Sequence, residues 1–210
     1  MADRQIIFSA PMVRALLEGR KTQTRRVLRA KSGIATAHTV QRVGSHWLAC
    51  EYDRRWPIRL PYAPGDRLWV REAFTEVPMI GPRYYATNEI PASFKKVSPI
   101  HMPRCASRLT LLVTDVRVQR LHEISDEDAN AEGAAHCDIC NDVGWLNNNP
   151  DGGEECGCCG GGSYRDEFRD LWNSIHGPDA WDANPWVAAI TFDVKHGNID
   201  TPTGGTNDRS

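Results

Sequence analysis

Residues 107–120 read Ser-Arg-Leu-Thr-Leu-Leu-Val-Thr-Asp-Val-Arg-Val-Gln-Arg, the strongest strand-forming stretch of the chain. Leu109, Leu111 and Val113 alternate toward one face, and after Thr114-Asp115 the alternation resumes with Val116 and Val118. A period of two over so many residues predicts a long, half-buried strand. Just downstream, Ser125 with Asp128 three positions on predicts the capped start of a short helix that carries Glu132. Residues 164–176 place Phe168, Leu171, Trp172 and Ile175 on one helical stripe, closed by Gly177-Pro178. Residues 185–194 alternate Trp186, Ala188, Ile190 and Phe192, which predicts a last strand. Upstream, the Pro64-Gly65-Asp66 turn launches a strand over 66–74, residues 45–52 form another, and 83–86 is a further short candidate. At the N-terminus a strand at Ile6–Ser9 leads into a helix that enters near Ser9-Ala10-Pro11 and stops at Gly19. Strands dominate and the helices are short and peripheral. The expected class is α+β, built on a small mixed β-barrel.

With 210 residues, 40% hydrophobic and 25% charged, the chain can bury one ordinary core. We expect one main domain over 1–196, an insertion within it, and a disordered tail over 197–210, where no apolar period survives. No apolar run approaches the roughly 20 residues that span a bilayer, and the N-terminus lacks a secretory signature, so the expected location is cytoplasmic and no membrane partner is expected. The net charge of -2 hides a sharp asymmetry. Residues 1–31 hold eight Lys or Arg against two Asp or Glu, whereas residues 122–184 hold fifteen acids against two arginines. The first segment suits phosphate and the second repels it, unless the two neutralise each other within the fold.

Within the basic segment, residues 19–26 read Gly-Arg-Lys-Thr-Gln-Thr-Arg-Arg. Lys21 lies three positions before Thr24, among Arg20, Arg25 and Arg26. A hydroxyl beside an amine is a nucleophile with its base, and guanidinium groups suit an anionic ligand such as a nucleotide. Strict strand alternation would put Lys21 and Thr24 on opposite faces, so joint action requires a turn before the strand begins. The octet is not a phosphate-binding P-loop, whose glycine positions are held here by Arg20 and Ala15.

Five of the seven cysteines fall between 137 and 159. Cys137 with Cys140 and Cys156 with Cys159 form two C-x2-C pairs separated by 15 residues, the spacing of a four-thiolate zinc knuckle. Cys158 could replace Cys159, and His136 could replace one thiolate. Residues 147–153 offer no core-forming material, so metal would supply the folding energy of the insertion over 136–162. Four thiolates leave no open coordination position, which makes the zinc structural. Cys50 and Cys105 are expected to be buried small hydrophobes.

The octet, the stretch Pro64-Gly65-Asp66-Arg67-Leu68-Trp69-Val70-Arg71-Glu72, the segment His101-Met102-Pro103-Arg104 and the helix from Ser125 to Glu132 together resemble the ASCH domain family, of PUA-like β-barrel fold. Trp172 and the Asn184-Pro185-Trp186 ending resemble its prophage-type members. The likeness covers most of residues 5–195 and leaves the cysteine insertion outside the minimal domain. Small members of that superfamily remove acetyl groups from N4-acetylcytidine, and their Gly-Arg-Lys-Thr-x-Thr motif is similar to residues 19–24. The resemblance therefore implies catalytic roles for Lys21, Thr24 and Glu132, the last by an Ala-x-x-Glu-like pattern. Around them Arg20, Arg25, Arg26, Arg71 and Tyr84 are the expected substrate-binding residues. This chain is about twice as long as those small hydrolases, with insertions around 30–60 and 75–105.

Two classes of function follow. In the first, a Lys-Thr-Glu site hydrolyses an acylated or modified pyrimidine nucleoside or base. In the second, the barrel groove binds RNA or a modified nucleotide without chemistry; ribonuclease action in the same cleft is a third reading. Trp47, Trp56, Trp69, Tyr84 and Tyr85 are candidates to stack bases, although Trp69, Trp172 and Trp186 sit at core-facing positions of their elements. The acidic segment favours a nucleoside or a single flipped base over a long strand.

Overall fold

A computed structural model of the chain describes residues 1–29, 34, 37–133 and 163–201. Ten strands and three short α-helices make it a strand-rich α+β protein among these residues. The chain divides into two compact units, one of residues 1–19, 63–114 and 192–210 and the other of residues 20–62 and 115–191.

The first unit opens with β1 (Asp3–Ile7) and α1 (Ala10–Leu17). Pro11 presets the first turn, the Ser9 carbonyl accepts from the Val13 N–H at 2.9 Å, and Gly19 leaves the helix at φ +75°, a conformation that costs glycine little. Strand β6 (Arg67–Arg71) pairs in parallel with β1, from Asp3 opposite Arg67 to Ile7 opposite Arg71. The turn before it is held by Asp66, whose carboxylate accepts from the backbone N–H groups of Ala2 at 2.8 Å and Ala63 at 3.1 Å. A hairpin follows, β7 (Phe74–Val77) with β8 (Gly81–Tyr84). The long strand β9 (Leu109–Arg120) runs antiparallel to β6, with Leu68 opposite Leu111.

As expected from alternation, Leu109, Leu111, Val113, Val116 and Val118 are all buried. The buried positions change from odd to even across Thr114-Asp115, the point at which the chain passes from one unit to the other.

In the second unit, β2 (Gln23–Val27) pairs antiparallel with β10 (Trp186–His196), Gln23 opposite Thr191 and Val27 opposite Val187. A meander of β3 (Thr39–Val43), β4 (His46–Glu51) and β5 (Arg54–Pro57) forms a separate sheet. Sequence periodicity anticipates β4 and misses its two partners. Both are largely exposed, so backbone pairing rather than an apolar stripe holds them, and periodicity has nothing to register.

Helix α2 (Asp126–Ala131) is capped by Ser125, whose hydroxyl accepts from the Asp128 N–H at 3.2 Å. Helix α3 (Tyr164–His176) starts from a reciprocal capping box between Ser163 and Asp166. Its Phe168 and Trp172 pack with Leu121, Ile124, Ala129, Trp181 and Val187 into one buried cluster. Trp172 is the largest member of that cluster on α3, its ring 5.9 Å from Phe168 and 4.2 Å from His176. Trp172→Ala is expected to cost about 3–5 kcal/mol, measured by urea unfolding, because the cavity it leaves is walled by rigid aromatics.

The five-stranded sheet has the order β1-β6-β9-β10-β2. Among the described residues the strand pairing closes into no barrel. Two aromatic expectations change: Trp172 is core, but Trp69 and Trp186 are only half-buried, each with an arginine over its ring. Cys50 is buried as expected, whereas Cys105 is exposed.

Candidate functional site

Ahead of β2 the chain turns at Glu18-Gly19 and then runs through residues 20–22 without regular structure. Arg20, Lys21 and Thr22 precede β2, and the Thr22 N–H donates to the Ala131 carbonyl at 2.9 Å, tying the start of β2 to the end of α2. That tie brings Lys21 to Glu132, 111 residues away. Lys21 Nζ donates to Glu132 Oε2 at 2.7 Å, to the Glu132 carbonyl at 2.7 Å and to the Gln23 carbonyl at 2.8 Å. These three acceptors match the three protons of an ammonium. The side chains of Lys21 and Glu132 are 0% and 4% exposed.

Arg25 completes the arrangement. Its guanidinium reaches Glu132 Oε1 at 3.1 Å, Gln23 Oε1 at 2.7 Å and Asp128 Oδ2 at 2.8 Å, with its side chain fully excluded from solvent. Asp128 and Glu132 stand four apart at the start and the C-cap of α2, so both carboxylates turn toward β2. Arg117 from β9 also donates to Asp128, at 2.9 Å to Oδ2. Two carboxylates are thus shared among a lysine and two arginines. Arg25 Nε is buried with no partner among the described residues.

The electrostatics follow from burial. Desolvation pushes the Lys21 ammonium below its ordinary value, opposed by the Glu132 charge and helped by Arg26 and Arg25. Burial likewise lowers the Arg26 guanidinium, with Glu132 and Tyr62 acting the other way. For Asp128, burial alone would raise the carboxyl, but Arg117, Arg25 and Gln23 together hold it below the usual carboxylate range.

Thr24 lies on β2 opposite Ile190, 1% exposed. Strand alternation gives it the face opposite Gln23 and Arg25 and the same face as Arg26. Among the described residues no hydrogen bond joins Thr24 to Lys21 or Glu132. The structure therefore brings together Lys21, Glu132 and Arg25, keeps Thr24 beside them on β2 without a direct bond, and leaves Arg20 and Arg26 half-buried at the two ends of the octet.

Arg71 and Tyr84 belong to the first unit and are engaged there. Arg71 donates to the carbonyls of Met102 and Ile100 and to Gln5 Oε1, and lies 5.1 Å from the Trp69 ring. The Tyr84 hydroxyl donates to the Ala106 carbonyl at 2.9 Å, and Arg108 covers its ring at 4.0 Å, so the face expected to stack a base is occupied. Burial also raises the Tyr84 phenol. Arg108 in turn forks onto Glu72 at 2.8 and 2.9 Å, a buried carboxylate the sequence did not single out.

Sequence reasoning also missed Asp128 and Gln23. The signal for Asp128 was present in its four-residue spacing from Glu132, but its place in the first helical turn made capping a sufficient explanation. The expected zinc ligands Cys137, Cys140, Cys156 and Cys159, like His136 and Cys158, lie outside the described residues. Among the described residues there is no cluster of three or more His, Cys, Asp or Glu fit to hold a metal. No helix among them is long and apolar enough to cross a membrane.

No protein-family model and no curated protein matches the chain. Among solved structures it is similar to protein EF3133 from Enterococcus faecalis V583, of a family described as DUF984, at 11% identity and a TM-score of 0.41, over 96% of this chain and 84% of that one. A likeness at that level carries neither fold nor activity across, and the site rests on its own residues.

Proposed function

We propose that the protein hydrolyses the amide of an acylated or modified pyrimidine nucleoside or base, of the N4-acetylcytidine type, at Lys21, Thr24 and Glu132. The observation that carries this reading is the Lys21–Glu132 contact of 2.7 Å between two side chains removed from water. Such a pair contributes little net stability compared with apolar residues of the same size, because desolvation offsets its Coulombic gain. A depressed lysine beside a carboxylate is instead what base catalysis needs. In the reaction, Thr24 Oγ1 adds to the acyl carbonyl while its proton passes to neutral Lys21. The resulting ammonium returns that proton to the departing exocyclic amine, and water then cleaves the acyl-threonine ester with Lys21 again as base. Glu132 orients Lys21 and stabilises its charged form. We place this site on a PUA-like barrel of the ASCH kind, the reading that the motif resemblance supports.

Incubation with N4-acetylcytidine and related acylated nucleosides tests the reading. Cytidine release by the wild type, abolished by Lys21→Ala, is the expected result. The rival reading, binding of RNA or a modified nucleotide without chemistry, is favoured by one observation: Lys21 already has three acceptors and Thr24 is not bonded to it. Salt-dependent RNA binding without turnover is its signature. Ribonuclease action, the third reading, would show as chain cleavage in the same incubation with RNA.

The cysteine insertion is proposed to bind one structural zinc through Cys137, Cys140, Cys156 and Cys159. Elemental analysis is expected to find one zinc per chain. The double substitution Cys137→Ser/Cys156→Ser should abolish it, and retention of full zinc would refute the ligand set.

A further inference from the structure

The meander of β3, β4 and β5 contains two hairpins of the same build. In each, two residues join a pair of facing positions, Val43 with His46 and Glu51 with Arg54. The first residue of each loop takes a left-handed backbone, Gly44 at φ +60° and Tyr52 at φ +50°. Glycine or asparagine fills such a position at least cost, and a bulky residue there is an outlier. Tyr52 gains no burial in exchange: it is 87% exposed, and its ring meets exposed His38 edge-on at 5.2 Å. Since glycine serves the first hairpin, the fold has no need of a tyrosine in the second, and the strain points to a role outside the chain.

The neighbouring residues indicate which role. Arg54 and Arg55 follow directly after the turn on opposite faces of β5, Arg59 lies two residues beyond that strand, and all three are exposed. Among the described residues none of these three arginines has a hydrogen bond, an ion pair or a ring contact, so their guanidinium groups are available to a ligand. Glu51 and Asp53 share the tip without pairing to them. That keeps the net charge small, so attraction comes from directed guanidinium–phosphate bonds rather than from a broad field. A solvent-facing ring stacks on any unstacked base, whereas a duplex keeps its bases stacked on one another.

We propose that the tip of the β4–β5 hairpin is a contact for single-stranded nucleic acid, with a base on the Tyr52 ring and neighbouring phosphates on Arg54 and Arg55. The proposal stands on the meander alone and draws nothing from the chemistry proposed at Lys21.

Fluorescence anisotropy of the full chain with short single-stranded RNA and DNA oligomers of mixed sequence tests it. Wild type is expected to bind them in preference to the matching duplex. Tyr52→Gly should weaken binding about 5- to 150-fold, the worth of one base stack, and leave the thermal midpoint unchanged or higher, because glycine takes the left-handed φ without strain. Tyr52→Phe, which keeps the ring, should retain binding within about threefold. Should Tyr52→Gly unfold, Tyr52→Asn, which also tolerates that backbone, gives the same reading. Arg54→Gln/Arg55→Gln should flatten the slope of log affinity against log salt by roughly 1.4, at about 0.7 per phosphate on a single strand. Absence of binding by wild type, a duplex bound as tightly as a single strand, or binding that folded Tyr52→Gly leaves undiminished overturns the proposal.

Discussion

Glu132→Gln is expected to be the most destabilising single polar substitution in the second unit, at about 3–5 kcal/mol. The loss comes from what remains: Lys21 and Arg25 both have fully buried side chains, and the glutamine offers them no charge. Arg25 keeps Asp128, so the greater cost falls on Lys21. For a chain of this size the midpoint of thermal unfolding should drop by roughly 6–20 °C.

The pH dependence identifies the cause. Burial holds Lys21 below its ordinary 10.5, so between the depressed value and 10.5 the unfolded chain binds more protons and stability rises with pH. Removing Glu132 removes the influence that keeps Lys21 charged and extends that window to lower pH. The variant should therefore recover stability relative to wild type as pH is raised from 7 toward 10. A deficit independent of pH would place its origin in packing instead.

Lys21→Met is the second large effect. It removes the base of the proposed reaction, and turnover should fall by about 100- to 10,000-fold, the usual contribution of a general base. It also leaves Glu132 paired with Arg25, at 3.1 Å. A loss of about 3 kcal/mol is expected. Because the two side chains meet, Lys21→Met/Glu132→Gln should be less destabilised than the sum of the single changes, by about 0.5–3 kcal/mol. Strict additivity, read from urea unfolding, would contradict the contact.

The parts of this molecule that sequence reveals are those in which burial imposes a period. β9, β10 and α3 carry apolar residues at strand or helix spacing and lie where that spacing puts them. β3 and β5 are held by neighbouring backbone while their side chains face water, so their sequences carry no comparable imprint. Half-buried Trp69 and Trp186 show the limit of the same rule, since a large ring can take an inward position in the pattern and still be covered by an arginine rather than by core.

At the site, Lys21 and Glu132, paired by the motif resemblance, lie at 2.7 Å, whereas the turn asked for before β2 concerned Lys21 and Thr24, which share no hydrogen bond. The role of Arg25 was not anticipated. Expected to bind substrate, it bonds Asp128, Glu132 and Gln23 in the structure, because α2 presents two carboxylates to this face of β2. Arg26, one residue on, has the opposite face by strand alternation. A single strand thus divides the basic octet, with Arg25 serving the buried network and Arg26 on the other face of β2.

Thr24 as a nucleophile supported by Lys21 and Glu132 is tested by comparing Thr24→Ser with Thr24→Ala in the deacetylation of N4-acetylcytidine, each variant first shown to be folded. Cytidine release by wild type is expected, with retention within about tenfold in the serine variant and loss of at least about 100-fold in the alanine variant. Undiminished turnover by Thr24→Ala, or a folded wild type that releases no cytidine, would contradict it.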